Sequence, residues 1–414
     1  MSYLRIQGGR PLSGHLTVQR AKNSVLPVLA ATLLAGGECR IADCPRLSDV
    51  ETAAEILRHL GCQAQWDGND LLVDTACVTR WDIPEGLMRK MRSSVIFLGA
   101  ILTRCGRAEL SYPGGCELGP RPIDLHLTAL RTLGAEISEI GGSRAERLRG
   151  DDILLTLPSV GATENAILAA CGAEGTTIIS NAAREPEIAD LQDFLQKLGA
   201  DVHGAGTSTI TVRGGGVRRG CVHRCIGDRI AAATYLCAAA AAGGQVTLRG
   251  VDYRHLATVT TALGQAGCRL QCTEDSITLE SDGRLRAIPP VRTSPYPGFP
   301  TDAQAPLMAA LLRSEGAVMF VENMFDSRYR HVPELVRMGA DIRLEGRVAV
   351  VYGTRELHGA AVRCTDLRGG AALAIAALQT PDATLIHEIY HIQRGYQDMA
   401  GDLRALGADA IVEV

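Results

Sequence analysis

Hydrophobic positions along the chain recur as short helical faces that close on glycine and are followed by alternating runs. The pattern is clearest in one phrase that returns six times. It reads Leu57-Arg-His-Leu-Gly61-Cys62, Leu130-Arg-Thr-Leu-Gly134-Ala135 and Leu195-Gln-Lys-Leu-Gly199-Ala200 in the first half. In the second half it reads Leu263-Gly-Gln-Ala-Gly267-Cys268, Leu335-Val-Arg-Met-Gly339-Ala340 and Leu403-Arg-Ala-Leu-Gly407-Ala408. Apolar residues three apart bury one face of a helix, and a glycine in left-handed conformation ends it. The alternation that follows, as in Asp341-Ile-Arg-Leu-Glu345, predicts a strand. Alanine-rich stretches lie upstream of the phrase and read as helices feeding β-rich runs: Ile167 to Gly175 before Thr176 to Ser180, and Ala371 to Gln379 before Ala383 to His387.

The six glycines are spaced by about 69 residues, and 69 is one sixth of the 414-residue chain. Each unit therefore reads as alternating β and α elements, which makes the fold class α/β. Units of this size exceed ordinary solenoid repeats, and a domain of about 150 residues is the usual prior. Two globules of three units fit best, one spanning residues 21–227 and the other residues 1–20 plus 228–414. A cleft between two globules is the natural place for a ligand.

Composition narrows the function classes. The formal charge of −4 gives no reason to expect a nucleic-acid partner, so an anionic ligand needs a local cluster of cations. The longest apolar run, Ile230 to Ala242, is too short to span a membrane. Residues 1–9 show no basic-then-apolar export signal, and the 13 cysteines suit a reduced, cytoplasmic protein. There is no P-loop, no dinucleotide fingerprint and no Gly-x-Ser-x-Gly. Cys221-Val-His223-Arg-Cys225 offers only three metal-capable side chains, so neither a metal nor a cofactor is expected.

Candidate chemistry lies where the repeats differ. The segment Tyr112-Pro-Gly-Gly-Cys116-Glu-Leu-Gly-Pro-Arg121-Pro122 holds three glycines and three prolines, a composition that forbids helix and sheet. A cysteine in such a loop is a candidate reactive thiol. Lys22-Asn23 opens the apolar helix expected over Val25 to Leu34. A cation there opposes the helix dipole unless an anion bridges it to the free N–H groups. Arg92 precedes the run Val95 to Leu102, and Asp302 precedes Ala303 to Leu312, where it reads as an N-cap. Asp366-Leu-Arg368 and Arg394-Gly-Tyr396 read as helix entries in the last unit.

Lys22-Asn23, Pro113-Gly-Gly-Cys116, Arg121-Pro-Ile-Asp124-Leu-His126, Ser159-Val-Gly161-Ala-Thr163, Asn181 to Glu187, Phe299-Pro-Thr-Asp302 and Arg394-Gly-Tyr396 closely resemble the UDP-N-acetylglucosamine 1-carboxyvinyltransferase family of enolpyruvyl transferases. The resemblance runs end to end. It implies an inside-out α/β barrel of two domains and transfer of an enolpyruvyl group from phosphoenolpyruvate to UDP-N-acetylglucosamine, the first committed step towards peptidoglycan. It further implies that Lys22, Arg121 and Arg394 cradle the two anionic groups of phosphoenolpyruvate. Cys116 would protonate its methylene carbon and be the thiol alkylated by fosfomycin, while Asp302 would stand beside the attacking hydroxyl. Asn23, Arg92, Arg121, Pro122, Ile123, Asp124, Leu125, Ser159, Val160, Gly161, Met324, Arg328 and Arg368 would line the substrate site. A monomer is expected.

Two positions depart from the family pattern: Leu157 stands where many relatives carry lysine, and Asp326-Ser327 where Glu-Asn is common. Related readings are an enolpyruvyl transferase acting on shikimate 3-phosphate or on another uridine nucleotide, and a non-catalytic regulator on the same scaffold. Retention of Lys22, Cys116 and Asp302 argues against the regulator.

Overall fold

The computed structural model describes residues 2–110, 123–138, 142–216, 219–354 and 356–413, the Arg92 side chain excepted. The glycines that close the recurring phrase all take positive φ: +101° at Gly61, +90° at Gly134, +100° at Gly199, +112° at Gly267, +91° at Gly339 and +90° at Gly407. A β-carbon is strained at each of these turns, which is why glycine recurs there. The strand expected after Gly339 forms as Asp341–Glu345.

The protein is α/β. The described residues form six four-stranded sheets with one shared pairing pattern. In each, the first two strands are parallel and the next two pairings antiparallel; an example is Asp152–Leu154, Thr176–Ser180, Thr209–Arg213 and Asp201–His203. Three sheets draw a strand from far along the chain, one of them setting Leu12–Thr17 parallel to Gly244–Arg249. Val222–His223 lies parallel to Glu38–Ile41, and Tyr3–Gln7 pairs with both Ala383–His387 and Asp409–Glu413.

Two compact units result. One comprises the chain up to Gln19 and from Gly227 onward, the other Arg20 to Ile226, so the divisions fall one residue before the expected boundaries. Each unit has its own hydrophobic core. In the first unit the helices Arg229–Ala242, Thr301–Ala310 and Leu367–Leu378 pack pairwise against one another and are buried almost all round. Their alanine content explains the lack of a polar face, because small side chains allow close approach on every side. In the second unit Phe97–Cys105 packs against Lys22–Ala31 and Val160–Gly172. Its outer helices, such as Ser48–His59 and Pro186–Leu198, are amphipathic, with a buried stripe and charged residues outside it.

Several element bounds differ from expectation. The first helix starts at Lys22 rather than Val25, and Thr32–Leu34 continues it as a 3₁₀ turn. Arg92 opens a 3₁₀ turn, Arg92–Ile96, that leads into Phe97–Cys105. No described helix is long and apolar enough to cross a membrane.

Candidate active site

The inner helices of both units carry candidate residues at their N-terminal ends. In the second unit these are Lys22 and Asn23, Arg92, and the run Ser159, Val160 and Gly161. In the first unit they are Asp302 and Arg368, at the starts of Thr301–Ala310 and Leu367–Leu378. Helix N-termini present unpaired N–H groups and the positive end of the dipole, so they suit anionic ligands and acidic side chains.

Asp302 is the centre of a cluster in the first unit. The expectation that it caps its helix is corrected: Pro300 holds the N-cap position and no side chain caps this end. The Asp302 carboxylate instead accepts from Arg328 Nη2 at 2.8 Å and from Arg368 Nη2 at 3.2 Å. Both arginine side chains are 3% exposed, whereas that of Asp302 is 28% exposed. The arrangement thus fixes one carboxylate on two buried guanidinium groups while its own side chain stays part-exposed. Arg328 also donates to the Thr301 carbonyl at 3.0 Å, and Arg368 to Tyr396 Oη at 3.1 Å. Tyr396 Oη is in turn 2.7 Å from Thr234 Oγ1. Burial works against the Arg368 charge, but Tyr396, Asp302 and Asp228 outweigh it and hold its pKa above the usual value.

Asp366 caps the helix Leu367–Leu378, accepting from the N–H groups of Arg368 and Gly369 at 3.0 Å each. Burial would raise its pKa, but Arg328, His331 and these two N–H groups bring it below the ordinary range. The Asp366-Leu-Arg368 segment is therefore a helix entry, as read. Arg394 is not: it is the C-cap of Tyr390–Gln393, an end where the dipole favours a cation. Arg394 is partly exposed and Met324 is exposed. In the departing segment, Asp326 pairs with Arg347.

In the second unit Lys22 Nζ lies 2.6 Å from Asp49 Oδ2, with side chains 11% and 3% exposed. The conflict between a lysine and a helix N-terminus, which a ligand anion could also resolve, is met here by an acid of the protein itself. Ser159 caps Val160–Gly172 with a 3.4 Å bond from the Ala162 N–H. Gly161 lies so close to His126 that an added β-carbon would stand 2.9 Å from His126 Cε1. His126 is buried and takes a 2.7 Å contact from Asn165 Nδ2, which also donates to the Val95 carbonyl at 3.0 Å. Ile123 precedes the helix Asp124–Thr132, whose first residue is exposed, and Leu125 packs partly against the core. Cys116, Arg121 and Pro122 lie outside the described residues.

Sequence reasoning missed Asp228 and Arg229, which start the remaining inner helix of the first unit. Asp228 caps it with bonds from the Ile230 and Ala231 N–H groups at 2.9 and 3.0 Å, and its charge acts on Arg368. The repeat held the signal, since the other inner helices already carried candidates at the same place. Asp49 gave no such signal, because the Lys22 pairing joins two separate helices.

A family model for EPSP synthase (3-phosphoshikimate 1-carboxyvinyltransferase) matches residues 6–403. The fold thus falls in the class of enolpyruvyl transferases. The solved enolpyruvyl transferase NikO from Streptomyces tendae is similar, with a TM-score of 0.88 and 27% identity, covering 99% of this chain and 98% of that one. EPSP synthase from Acinetobacter baumannii shares the fold at a TM-score of 0.75 and 18% identity, covering 100% of both chains. UDP-N-acetylglucosamine 1-carboxyvinyltransferase 2 from Caldanaerobacter subterraneus subsp. tengcongensis is 46% identical, over 99% of this chain and 99% of its own. UDP-N-acetylglucosamine 1-carboxyvinyltransferase from Dichelobacter nodosus is 44% identical, over 99% and 98%. The chain belongs to the UDP-N-acetylglucosamine 1-carboxyvinyltransferase family.

Proposed function

We propose that this enzyme transfers the enolpyruvyl group of phosphoenolpyruvate to the 3′-hydroxyl of UDP-N-acetylglucosamine, releasing phosphate, as an early step of peptidoglycan synthesis. The observation that carries the reading is Asp302: a part-exposed carboxylate held by two buried arginines, in a chain 46% identical throughout to a relative of that name. A carboxylate so oriented suits a general base beside an attacking hydroxyl.

The reaction is an addition followed by an elimination. The 3′-oxygen bonds to C2 of phosphoenolpyruvate while its proton passes to Asp302, and C3 takes a proton from the Cys116 thiol. C3 then gives a proton back as the C2–O bond to phosphate breaks. Lys22, Arg121 and Arg394 are assigned to the phosphate and carboxylate of phosphoenolpyruvate, supplying locally the positive charge that the whole chain lacks. Asn23, Arg92, Arg121, Pro122, Ile123, Asp124, Leu125, Ser159, Val160, Gly161, Met324, Arg328 and Arg368 are assigned to the substrate site. For Arg328 and Arg368 the bonds to Asp302 favour a share in orienting the base. The same proposal includes the inside-out barrel of six units, a cytoplasmic location and a monomer; the shared strand pattern of the six sheets supports the barrel.

Phosphate release from phosphoenolpyruvate, measured with UDP-N-acetylglucosamine, shikimate 3-phosphate or uridine monophosphate as acceptor, tests the assignment. Release with the first alone is expected. Preference for either of the others would overturn the acceptor, and no release with any would overturn the activity.

A further inference from the structure

Cys39 and Cys221 stand opposite one another across two parallel strands. Val222 is paired with Arg40 and His223 with Ile41, and the Arg40 N–H donates to the Cys221 carbonyl at 2.9 Å. One step back along both strands brings Cys221 beside Cys39. The two-residue period puts both on the face that carries the buried His223 and Ile41 side chains. Neighbouring strands run about 4.8 Å apart, within the roughly 4.4–6.8 Å between Cα atoms that a disulfide spans. Each thiol is near enough to shift the titration of the other.

Their surroundings differ in a way that assigns them different roles. Cys39 is fully buried, whereas Cys221 is partly exposed. The neighbouring Cys39 thiol lowers the Cys221 pKa against the effect of burial, and Lys197 and Arg219 lower it further. The neighbouring Cys221 thiol, followed by burial, raises that of Cys39. Both cations are held nearby: Arg219 Nε donates to the Lys197 carbonyl at 2.8 Å, and Lys197 Nζ lies 3.0 Å from His223 Nδ1. A part-exposed thiol beside cations, with a second thiol opposite it on the adjoining strand, has the features of a site attacked by oxidants and then resolved.

We propose that Cys39 and Cys221 form an oxidation site that a peroxide converts to an intrachain disulfide, with Cys221 attacked first and Cys39 resolving. The Cys221 thiolate attacks one oxygen of hydrogen peroxide; the S–O bond forms, the O–O bond breaks, and the leaving hydroxide takes a proton to become water. Cys39 sulfur then attacks the Cys221 sulfenic acid. The S–S bond forms, the S–O bond breaks, and the departing hydroxide takes the Cys39 proton as a second water. The thiol pair loses two electrons and the peroxide gains them.

Peroxide treatment of the full chain, quenching with an alkylating agent and non-reducing peptide mapping test the proposal directly. The expected product is one cross-linked pair of peptides containing Cys39 and Cys221, lighter than the reduced pair by two hydrogens. In Cys39→Ser, dimedone should trap Cys221 as its sulfenic acid, and the wild-type chain should give little of that adduct. Before oxidation, iodoacetamide at neutral pH should label Cys221 about tenfold faster than the exposed Cys272, whose pKa is raised. A Cys221 that remains alkylatable after peroxide, or that links to a cysteine other than Cys39, would overturn the proposal. These readouts do not use turnover, so they stand apart from any test of the transferase reaction.

Discussion

Asp190 and Asp302 are both aspartates on a helix and both are held by basic side chains, yet one is sealed and the other is open. Asp190 accepts from Ser24, from His223 Nε2 at 3.1 Å and from the Ile226 N–H at 3.3 Å, and its side chain is 4% exposed. Cys225 also lies in this group, but the Asp190 oxygens and both His223 nitrogens are already engaged. The network spans the first helix, the helix Pro186–Leu198 and the end of the second unit's chain, and it serves the fold. Around Asp302 the supporting arginines are buried and the carboxylate is not. On the proposed reading, the same chemistry supports structure at Asp190 and reaction at Asp302, according to which partner is part-exposed.

Four experiments would break or sharpen that contrast. The largest effect is expected at Asp302: Asp302→Asn should slow phosphate release by about 10²–10⁴-fold, the usual range for general acid–base groups, an effect larger than its cost in thermal midpoint. A variant near wild-type activity would remove Asp302 from the chemistry. Asp190→Asn should do the reverse, costing about 3 kcal/mol in urea unfolding because it strips a buried group of its charged partner. A stability change below about 1 kcal/mol would mean that the network adds little.

The third experiment uses His331, which faces Asp366 and Arg328 near the Asp302 cluster. Burial lowers its pKa to about 4 from 6.5. The unfolded chain takes up this proton below pH 6.5 and the native one not until about pH 4, so stability is present above 6.5 and lost as pH falls through that window. Between pH 7.5 and pH 5 the loss should be about 2 kcal/mol, absent from His331→Gln when both are followed by denaturant unfolding. Parallel pH profiles for the two proteins would refute the assignment. The smallest effect is expected at Gly161→Ala, where the new methyl meets the His126 ring; about 1 kcal/mol is the cost of such overpacking. A stabilised variant would show that His126 can yield.

Much of the fold was legible because its signals are local. The six glycines mark helix ends through backbone sterics alone, and the strand Asp341–Glu345 follows from alternation. Asp366 could be recognised at a helix entry for the same reason, since a cap acts on N–H groups two and three residues away. Asp302 looked equivalent and was not, because Pro300 already occupies the cap position and the carboxylate turns towards arginines brought from other elements. Arg394 was misplaced at a helix start because the four-residue helix before it is too short to show a period. The Lys22–Asp49 pair was invisible for a different reason: nothing in either local segment specifies the other.

The sequence by itself determined the α/β class, the six-fold recurrence and the family, because periodicity, glycine conformations and long motifs all reside in contiguous residues. Only the tertiary structure decided which acid meets which cation: Asp49 for Lys22, Asp302 between Arg328 and Arg368, and Cys39 beside Cys221. Those contacts depend on chain segments folded together across long separations. Their strength depends on how much water the surrounding core excludes, which no local pattern records.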